Sequence, residues 1–354
     1  MESQDTLVPL GGAEFAPTRT YLNTSACGLL PRRAIEAVTL LAEETAAGRP
    51  DGAGDFDIVD EARAAFARLA HVTPDRVAVG SSVSVHVGMV AQSLPSGAEV
   101  LFPEGDFSSV ITPFTVRGDL KTRFVPLERL AESVRPDTAL VAFSAVQSAD
   151  GRTADFAAVR AAAAAHGART LCDATQSAGW LPLYAGEWDF TVAGGYKYLL
   201  CPRGASFLTV TEEAQDALLP IHAGWVTGEE LWTNSYGPVR ELAHSARRFD
   251  EPPAFSSYHG AARSLALLEE IGIERIEAHD KALAARFRTG LAALGHTPVA
   301  DDSTVVAVPG LGDRADALRE AGVLLSARAG NLRASFHLYN SAADVDRVLA
   351  VLAG

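Results

Sequence analysis

From residue 76 onward, short apolar runs alternate with amphipathic stretches. The runs RVAVG, EVLFP, RFVPL, TALVAFSAV, TLCDA, DFTVAGG and ASFLTV are strand-like in length, while VSVHVGMVAQSL and ADFAAVRAAAAAHG repeat their apolar positions at helical spacing. Strand and helix in alternation predict an α/β fold, a mostly parallel sheet covered by helices on both faces. The alanine run then reads as a helix lying close on the sheet. Ligands of such sheets gather at the carboxyl ends of the strands, so the residues just after these runs are the first candidates for chemistry.

The texture changes near residue 245. FDEPPAF interrupts regular structure, YHGAARSLALLEEIG and KALAARFRTGLAALG read as helices, and the tail alternates VVAVPG, DRADALREAG, LRASFHLY and ADVDRVLAVLAG. We expect an N-terminal lead-in over residues 1–30, a large domain over 31–245 and a smaller α+β domain over 246–354. A chain of 354 residues, 48% of them hydrophobic, can fill one large core and a second smaller one.

Charge narrows the partners. A net charge of -14 does not suit a nucleic-acid surface, which needs clustered Lys and Arg, so a small-molecule ligand is expected. Cys27, Cys172 and Cys201 show neither CxxC pairing nor metal-ligand spacing, which predicts no disulfide, no metal and a cytoplasmic setting. The N-terminus lacks a leader pattern and no apolar run is long enough to span a bilayer, so no membrane association is expected. Only three lysines are present, at 121, 197 and 281, so amine chemistry has few places to reside.

Lys197 follows the run DFTVAGG among aromatic and apolar neighbours. Partial burial there would lower its pKa and free a neutral amine, although a lone lysine at a strand end also fits a surface role. Asp173 ends the run TLCD, where a carboxylate can hold a pyridine nitrogen protonated or simply cap the next turn. Gln176 lies three residues beyond. GSSVS, at 80–84, joins a strand to a helix start, with the hydroxyls of Ser81 and Ser82 set for an anion or for ordinary capping.

Taken in order, these motifs resemble the class V aminotransferase family. YLNTSACGLLP resembles the family's N-terminal segment, GSSVS its phosphate loop, DATQSAGWLPL with AGGYKYLLCPRGASFL its cofactor core, and LRASFHLYNSAADVD its C-terminal signature. The resemblance implies a fold-type I pyridoxal 5'-phosphate (PLP) enzyme, with a seven-stranded sheet, a smaller C-terminal domain and a homodimeric assembly. It implies Lys197 as the Schiff-base lysine, Asp173 as partner of the pyridinium and Gln176 as a contact to the ring oxygen. Ser81 and Ser82 would hold the phosphate and Tyr196 would reach it. Phe107, where core packing is the alternative, would stack on the ring. Ser148, with Gln147 its rival, would stand near the ring oxygen. Arg333, where a surface arginine is the alternative, would grip the substrate carboxylate, with Ser25 and the backbone amides of 23–28 lining the same pocket.

Departures from the family pattern bear on the reaction. Gly194 and Tyr196 stand where many desulfurases carry Ser and His. The Gly-Thr-Pro loop appears as DEPPAFSS, leaving Ser256 or Ser257 to reach a partner subunit. The mobile cysteine loop of desulfurases shrinks to SARAGNLRAS, without a cysteine. The expectation is therefore a PLP-dependent enzyme acting on an α-amino acid, a β-eliminating C–S lyase without a catalytic cysteine. An aminotransferase and then an epimerase stand as alternatives, and a non-catalytic PLP-fold binding protein as the rival from another class.

Overall fold

The structure, a computed structural model, describes residues 7–49 and 54–354, so the first six residues of the expected lead-in lie outside it. Its strands are β1 (Thr20–Tyr21), β2 (Val77–Gly80), β3 (Glu99–Pro103), β4 (Lys121–Val125), β5 (Thr138–Ser144), β6 (Arg169–Asp173), β7 (Phe190–Gly194), β8 (Ser206–Val210), β9 (Val305–Pro309), β10 (Val323–Leu324), β11 (Ser326–Arg328) and β12 (Asn331–Ser335). Its helices are α1 (Arg32–Ala46), α2 (Phe56–Leu69), α3 (Val83–Ser93), α4 (Ser108–Thr115), α5 (Phe156–His166), α6 (Glu212–Gln215), α7 (Phe255–Ile271), α8 (Ile273–Ala293), α9 (Arg314–Glu320) and α10 (Ala342–Ala353).

Seven strands form the central sheet in the order β2-β8-β7-β6-β5-β3-β4. Only β8 runs antiparallel to its neighbours, so the sheet is mostly parallel, as the alternation predicts. The near-continuous apolar runs of β5, β6 and β7 follow from burial on both faces. Local chemistry then returns the chain to the sheet. Between β5 and β6, Asp155 caps α5 by accepting from the Ala158 amide, and Gly167, at φ 68°, ends it in the left-handed conformation.

Register carries the carboxyl ends of three strands to one edge. Ser144 of β5 faces Asp173 of β6, and Asp173 faces Val192 of β7, two residues before the turn that bears Lys197. At the sheet's end, β2 is fastened by a buried ion pair. Arg63 of α2 donates to both oxygens of Asp250, at 3.2 and 2.7 Å, and Asp250 also accepts from the Val79 amide at 2.8 Å. The adjoining Glu251 amide donates to the Val79 carbonyl, so segment 250–251 covers a strand edge that would otherwise stand open.

A second layer of structure lies toward the C-terminus. Strands β11, β12 and β9 form an antiparallel sheet, with Leu283 and Phe287 of α8 and Val345 and Val348 of α10 packed on its apolar residues. β1 pairs with β10, and Asn23 bridges to Ser335, so the N-terminal segment runs from this layer toward the Lys197 turn. Helix α7 packs on α1 and α2.

Some elements differ from expectation. α8 begins at Ile273, well before the expected KALAARFRTGLAALG, because its buried face includes His279 and Asp280, polar residues that interrupt the apolar period. β12 ends at Ser335, since the following residues turn so that the His337 amide donates to Asn340 Oδ1. Among the described residues no helix is long and apolar enough to cross a membrane, and no group of His, Cys, Asp and Glu is set to hold a metal ion.

Candidate active site

At the edge where β5, β6 and β7 end lies a cleft of about 70 Å³. It is lined by Ser82, Ser84, Phe107, Ser148, Asp173, Thr175, Gln176, Tyr196 and Lys197, among others. Seven of the residues expected from sequence thus share one pocket. A wider cleft near Asp301 and Asp302 offers Arg152 as its cation, and that guanidinium is already paired with Glu128 and Asp150.

Lys197 sits on a turn fixed by backbone contacts. The Cys201 amide donates to the Gly195 carbonyl and the Leu200 amide to that of Lys197. Gly28 packs against the Lys197 carbonyl so closely that a Cβ there would lie 2.1 Å from the oxygen. Behind this turn the Gly28 amide donates to the Tyr196 carbonyl at 2.8 Å. The lysine is buried, which pushes its pKa down to about 8. The nearby carboxylate of Asp173 opposes that shift, while Arg333, Arg203 and Arg328 reinforce it. A substantial share of the amine is therefore neutral near pH 8.

Burial raises the Asp173 carboxyl above its usual range, and the Thr175 hydrogen bonds and the Lys197 charge counter part of the rise. The Thr175 amide donates to Asp173 Oδ1 at 2.8 Å. Phe107 is 41% exposed at the pocket, which excludes a core-packing role, and its ring centroid lies 5.2 Å from Lys197 Nζ. Tyr196 faces the amine from 5.7 Å and carries the Arg203 guanidinium 4.1 Å above its ring.

At the far side, Gln176 Nε2 donates to Ser148 Oγ at 2.9 Å and to the Ser25 carbonyl at 3.1 Å, while its Oε1 is buried without a partner. Arg333, 1% exposed, donates to the carbonyl and hydroxyl of Ser148 and to Ser326 Oγ. Burial lowers its pKa to about 10, and no carboxylate among the described residues pairs with it. A buried guanidinium lacking a counterion is costly, and its burial excludes the surface role for Arg333.

Several expected roles are redistributed. Ser81 is engaged elsewhere: its amide and hydroxyl donate to Glu251 Oε2 at 2.7 and 2.9 Å. The hydroxyls of GSSVS that line the cleft are those of Ser82 and Ser84, 3.2 Å apart. Ser82 precedes α3 without capping it, so its hydroxyl and the first amides of the helix remain available to an anion. Ser25 gives its hydroxyl to Ser335 and so acts on the pocket only through its carbonyl, behind Gln176. The amides of Ser25, Ala26, Cys27 and Gly28 are all bonded within the protein, so they do not line the cleft as donors. Of the pair 147–148, Ser148 faces the pocket while Gln147 turns to Asp106. Ser257 donates to the Arg203 carbonyl of its own chain.

Asp106 escapes sequence reasoning. Buried, it accepts from the Phe107 amide and from both the amide and hydroxyl of Ser144, and so fixes the aromatic ring to the end of β5. Its one sequence signal is the position just after β3.

A buried amine, a carboxylate, a helix start without a side-chain cap and an arginine with no carboxylate partner among the described residues thus lie around one cleft. The chain belongs to the class V aminotransferase family, described as "Aminotransferase class-V", which matches residues 20–348. An uncharacterized aminotransferase of Bacillus subtilis (strain 168), YcbU, is 30% identical over 312 residues, covering 82% of each chain. A probable cysteine desulfurase of Pyrococcus abyssi is 27% identical over 337 residues, 83% of this chain and 82% of its own. The fold is shared with the cystine C-S lyase C-DES, solved with its product cysteine persulfide. That match has a TM-score of 0.85 at 23% identity, over 95% of this chain and 97% of the other.

The family's cofactor is pyridoxal phosphate, and the cleft fits it. Lys197 would offer the amine for its aldehyde, Asp173 a carboxylate for its ring nitrogen, and Ser82 and Ser84 with the α3 amides a seat for its phosphate. The partnerless Gln176 amide oxygen marks the wall where a polar ring substituent belongs.

Proposed function

We propose that this enzyme cleaves a C–S bond in an α-amino acid by β-elimination, with Lys197 as the base and without a protein thiol. Arg333, through the Nη2 that its bonds to Ser148 and Ser326 leave unused, and Ser148 hold the substrate's α-carboxylate by charge-assisted bonds. Lys197, the residue that would hold the cofactor's aldehyde, takes the α-proton on Nζ. Its lowered pKa keeps it neutral enough to do so near pH 8. Asp173 keeps a proton on the ring nitrogen, and pyridoxal phosphate supplies the electron sink.

The observation that favours a thiol-independent reaction is the β11–β12 hairpin. It turns in two residues, Ala329 and Gly330, at φ 47° and 79°, and carries no cysteine toward the cleft. Cys172 lies in an apolar cluster with Phe143 and Trp188. Burial raises the pKa of both Cys172 and Cys201, which disfavours the nucleophilic thiolate. Transamination is the second reading, favoured by the aminotransferase name of the Bacillus relative. An epimerase reaction follows behind these two. We place the enzyme in the cytoplasm, in keeping with its three free cysteines, and take it as a homodimer from its family resemblance.

Borohydride reduction of the holoenzyme followed by peptide mapping tests the site. The label belongs on Lys197, not on exposed Lys121 or on Lys281, which is paired with Glu277. A panel of amino acids assayed for keto acid, sulfide and ammonia tests the reaction. A thiol (sulfide where the sulfur carries no substituent) with keto acid and ammonia, in the absence of an amino acceptor, supports elimination. Keto acid formed only with an acceptor supports transamination instead, and a label on another lysine overturns the site.

A further inference from the structure

Three cations act on Lys197 from around the cleft, and they are not equivalent. Arg333 is buried, and Arg203 lies over Tyr196. Arg328 is exposed, and the one contact of its guanidinium is with the Ala327 carbonyl of the preceding residue. No carboxylate among the described residues pairs with it, although the chain carries net charge -14.

Register locates this arginine. In the β11–β12 hairpin Ser326 faces Arg333 and Arg328 faces Asn331. Residues two apart on a strand share a face, so Ser326, Arg328, Asn331 and Arg333 stand on one side of the ribbon. The hydrogen bond from Arg333 Nε to Ser326 Oγ, at 3.2 Å, marks that side, and Arg333's contacts with Ser148 turn it toward the cleft. Arg328 and Arg333 are diagonal neighbours, with backbones about 7–8 Å apart. The electrostatic effect of Arg328 on both Lys197 and Arg333 agrees with that placement.

We propose that Arg328 receives a second anionic group of the substrate, so that the preferred amino acid has a side chain ending in a carboxylate. This rests on the reading of Arg333 as the α-carboxylate site. Two guanidiniums at diagonal spacing suit a dicarboxylate, one end on each, while the reacting carbon stays over Lys197. For a C–S substrate the anion lies beyond the sulfur, on the group that leaves. The closed two-residue turn at Ala329 and Gly330 holds Arg328 in place.

The test uses the holoenzyme and two probes that do not turn over, glutarate and butyrate, with binding followed by calorimetry. Glutarate is expected to bind the parent about tenfold tighter than butyrate, the worth of one exposed charge-assisted contact. Arg328→Gln should abolish that preference, leaving butyrate binding and the cofactor's visible band unchanged. In turnover, S-carboxymethyl-L-cysteine should outrun S-methyl-L-cysteine in the parent and lose its advantage in Arg328→Gln. Equal affinity for the two probes in the parent, or a glutarate preference that survives in Arg328→Gln, overturns the proposal. Failure of the base reading looks different: no α-proton exchange with any amino acid, whatever the binding ratio.

Discussion

Arg333 donates to the hydroxyl of Ser148 at 3.1 Å, and this contact joins the C-terminal sheet to the cleft at the end of β5. The same hydroxyl receives Gln176 Nε2, so one serine holds two side chains that the sequence places far apart. Ser148→Ala should remove that hydroxyl from both, leaving Arg333 its bonds to the residue-148 carbonyl and to Ser326, and Gln176 its bond to the Ser25 carbonyl. Leaving their buried donors short of a partner predicts a rise in KM of about tenfold with a smaller change in kcat. Steady-state kinetics on the best substrate decide this, and a fall in kcat at constant KM would place Ser148 in the chemistry instead.

Asp173 is buried with its carboxyl raised by desolvation, a poor arrangement for stability that a protonated ring nitrogen would relieve. Asp173→Ala should therefore fold as well as the parent in the absence of cofactor, yet lose α-proton from substrate several orders of magnitude more slowly. Exchange of the α-proton in deuterated water measures the second effect and thermal melting the first. Near-normal exchange would show that the ring nitrogen lies elsewhere.

The lysine's own titration can be read before any substrate is added. Burial pulls Lys197 to about 8 from the ordinary lysine value of 10.5, so the neutral amine needed to attack the cofactor's aldehyde accumulates as pH rises through 8. The rate of cofactor uptake by cofactor-free protein, followed by growth of its visible band, should climb up to about pH 8 and then level off. A rate still climbing at pH 10 would mean an exposed, ordinary amine.

Acid should loosen the fold by a route unrelated to catalysis. Burial lowers His86 and His279 to about 4, from 6.5 in a free chain. Below pH 6.5 the unfolded chain takes up protons that the native state refuses, so stability falls as pH drops from 6.5 toward 4 and is fully present above that window. His86 accepts no charge easily where it lies, beside Ser206 and with Nδ1 lacking a partner. Melting temperatures across this range should fall steadily for the parent and less steeply for His86→Gln. Identical slopes would assign the acid lability to other groups.

Much of the fold is written in local pattern. The strands at β2, β3 and β5–β8 are short apolar runs bounded by turn residues, and α5 is announced by Asp155 at one end and Gly167 at the other. Lys197, Asp173 and Gln176 are legible because each follows a strand whose end must lie at the ligand edge. What escapes is pairing across distance. Nothing in GSSVS says that Ser81 will be drawn to Glu251, some 170 residues on, because any nearby acceptor satisfies a serine. The choice of Ser148 over Gln147 depends on Asp106, and the start of α8 is hidden by the polar residues that it buries.

The account turns most on the absence of a protein nucleophile for sulfur. A thiol must come within about 3–3.5 Å of the atom it attacks. Cys27, half-buried beside the Lys197 turn, is the cysteine that deserves the test, since Cys172 and Cys201 are buried in apolar surroundings. Turnover of the parent and of Cys27→Ser with a C–S amino acid, combined with analysis of the parent for protein-bound sulfane sulfur, addresses the claim directly. We predict equal sulfide release from both proteins and no persulfide on the parent. Loss of turnover in Cys27→Ser together with a trapped persulfide on Cys27 would contradict the account.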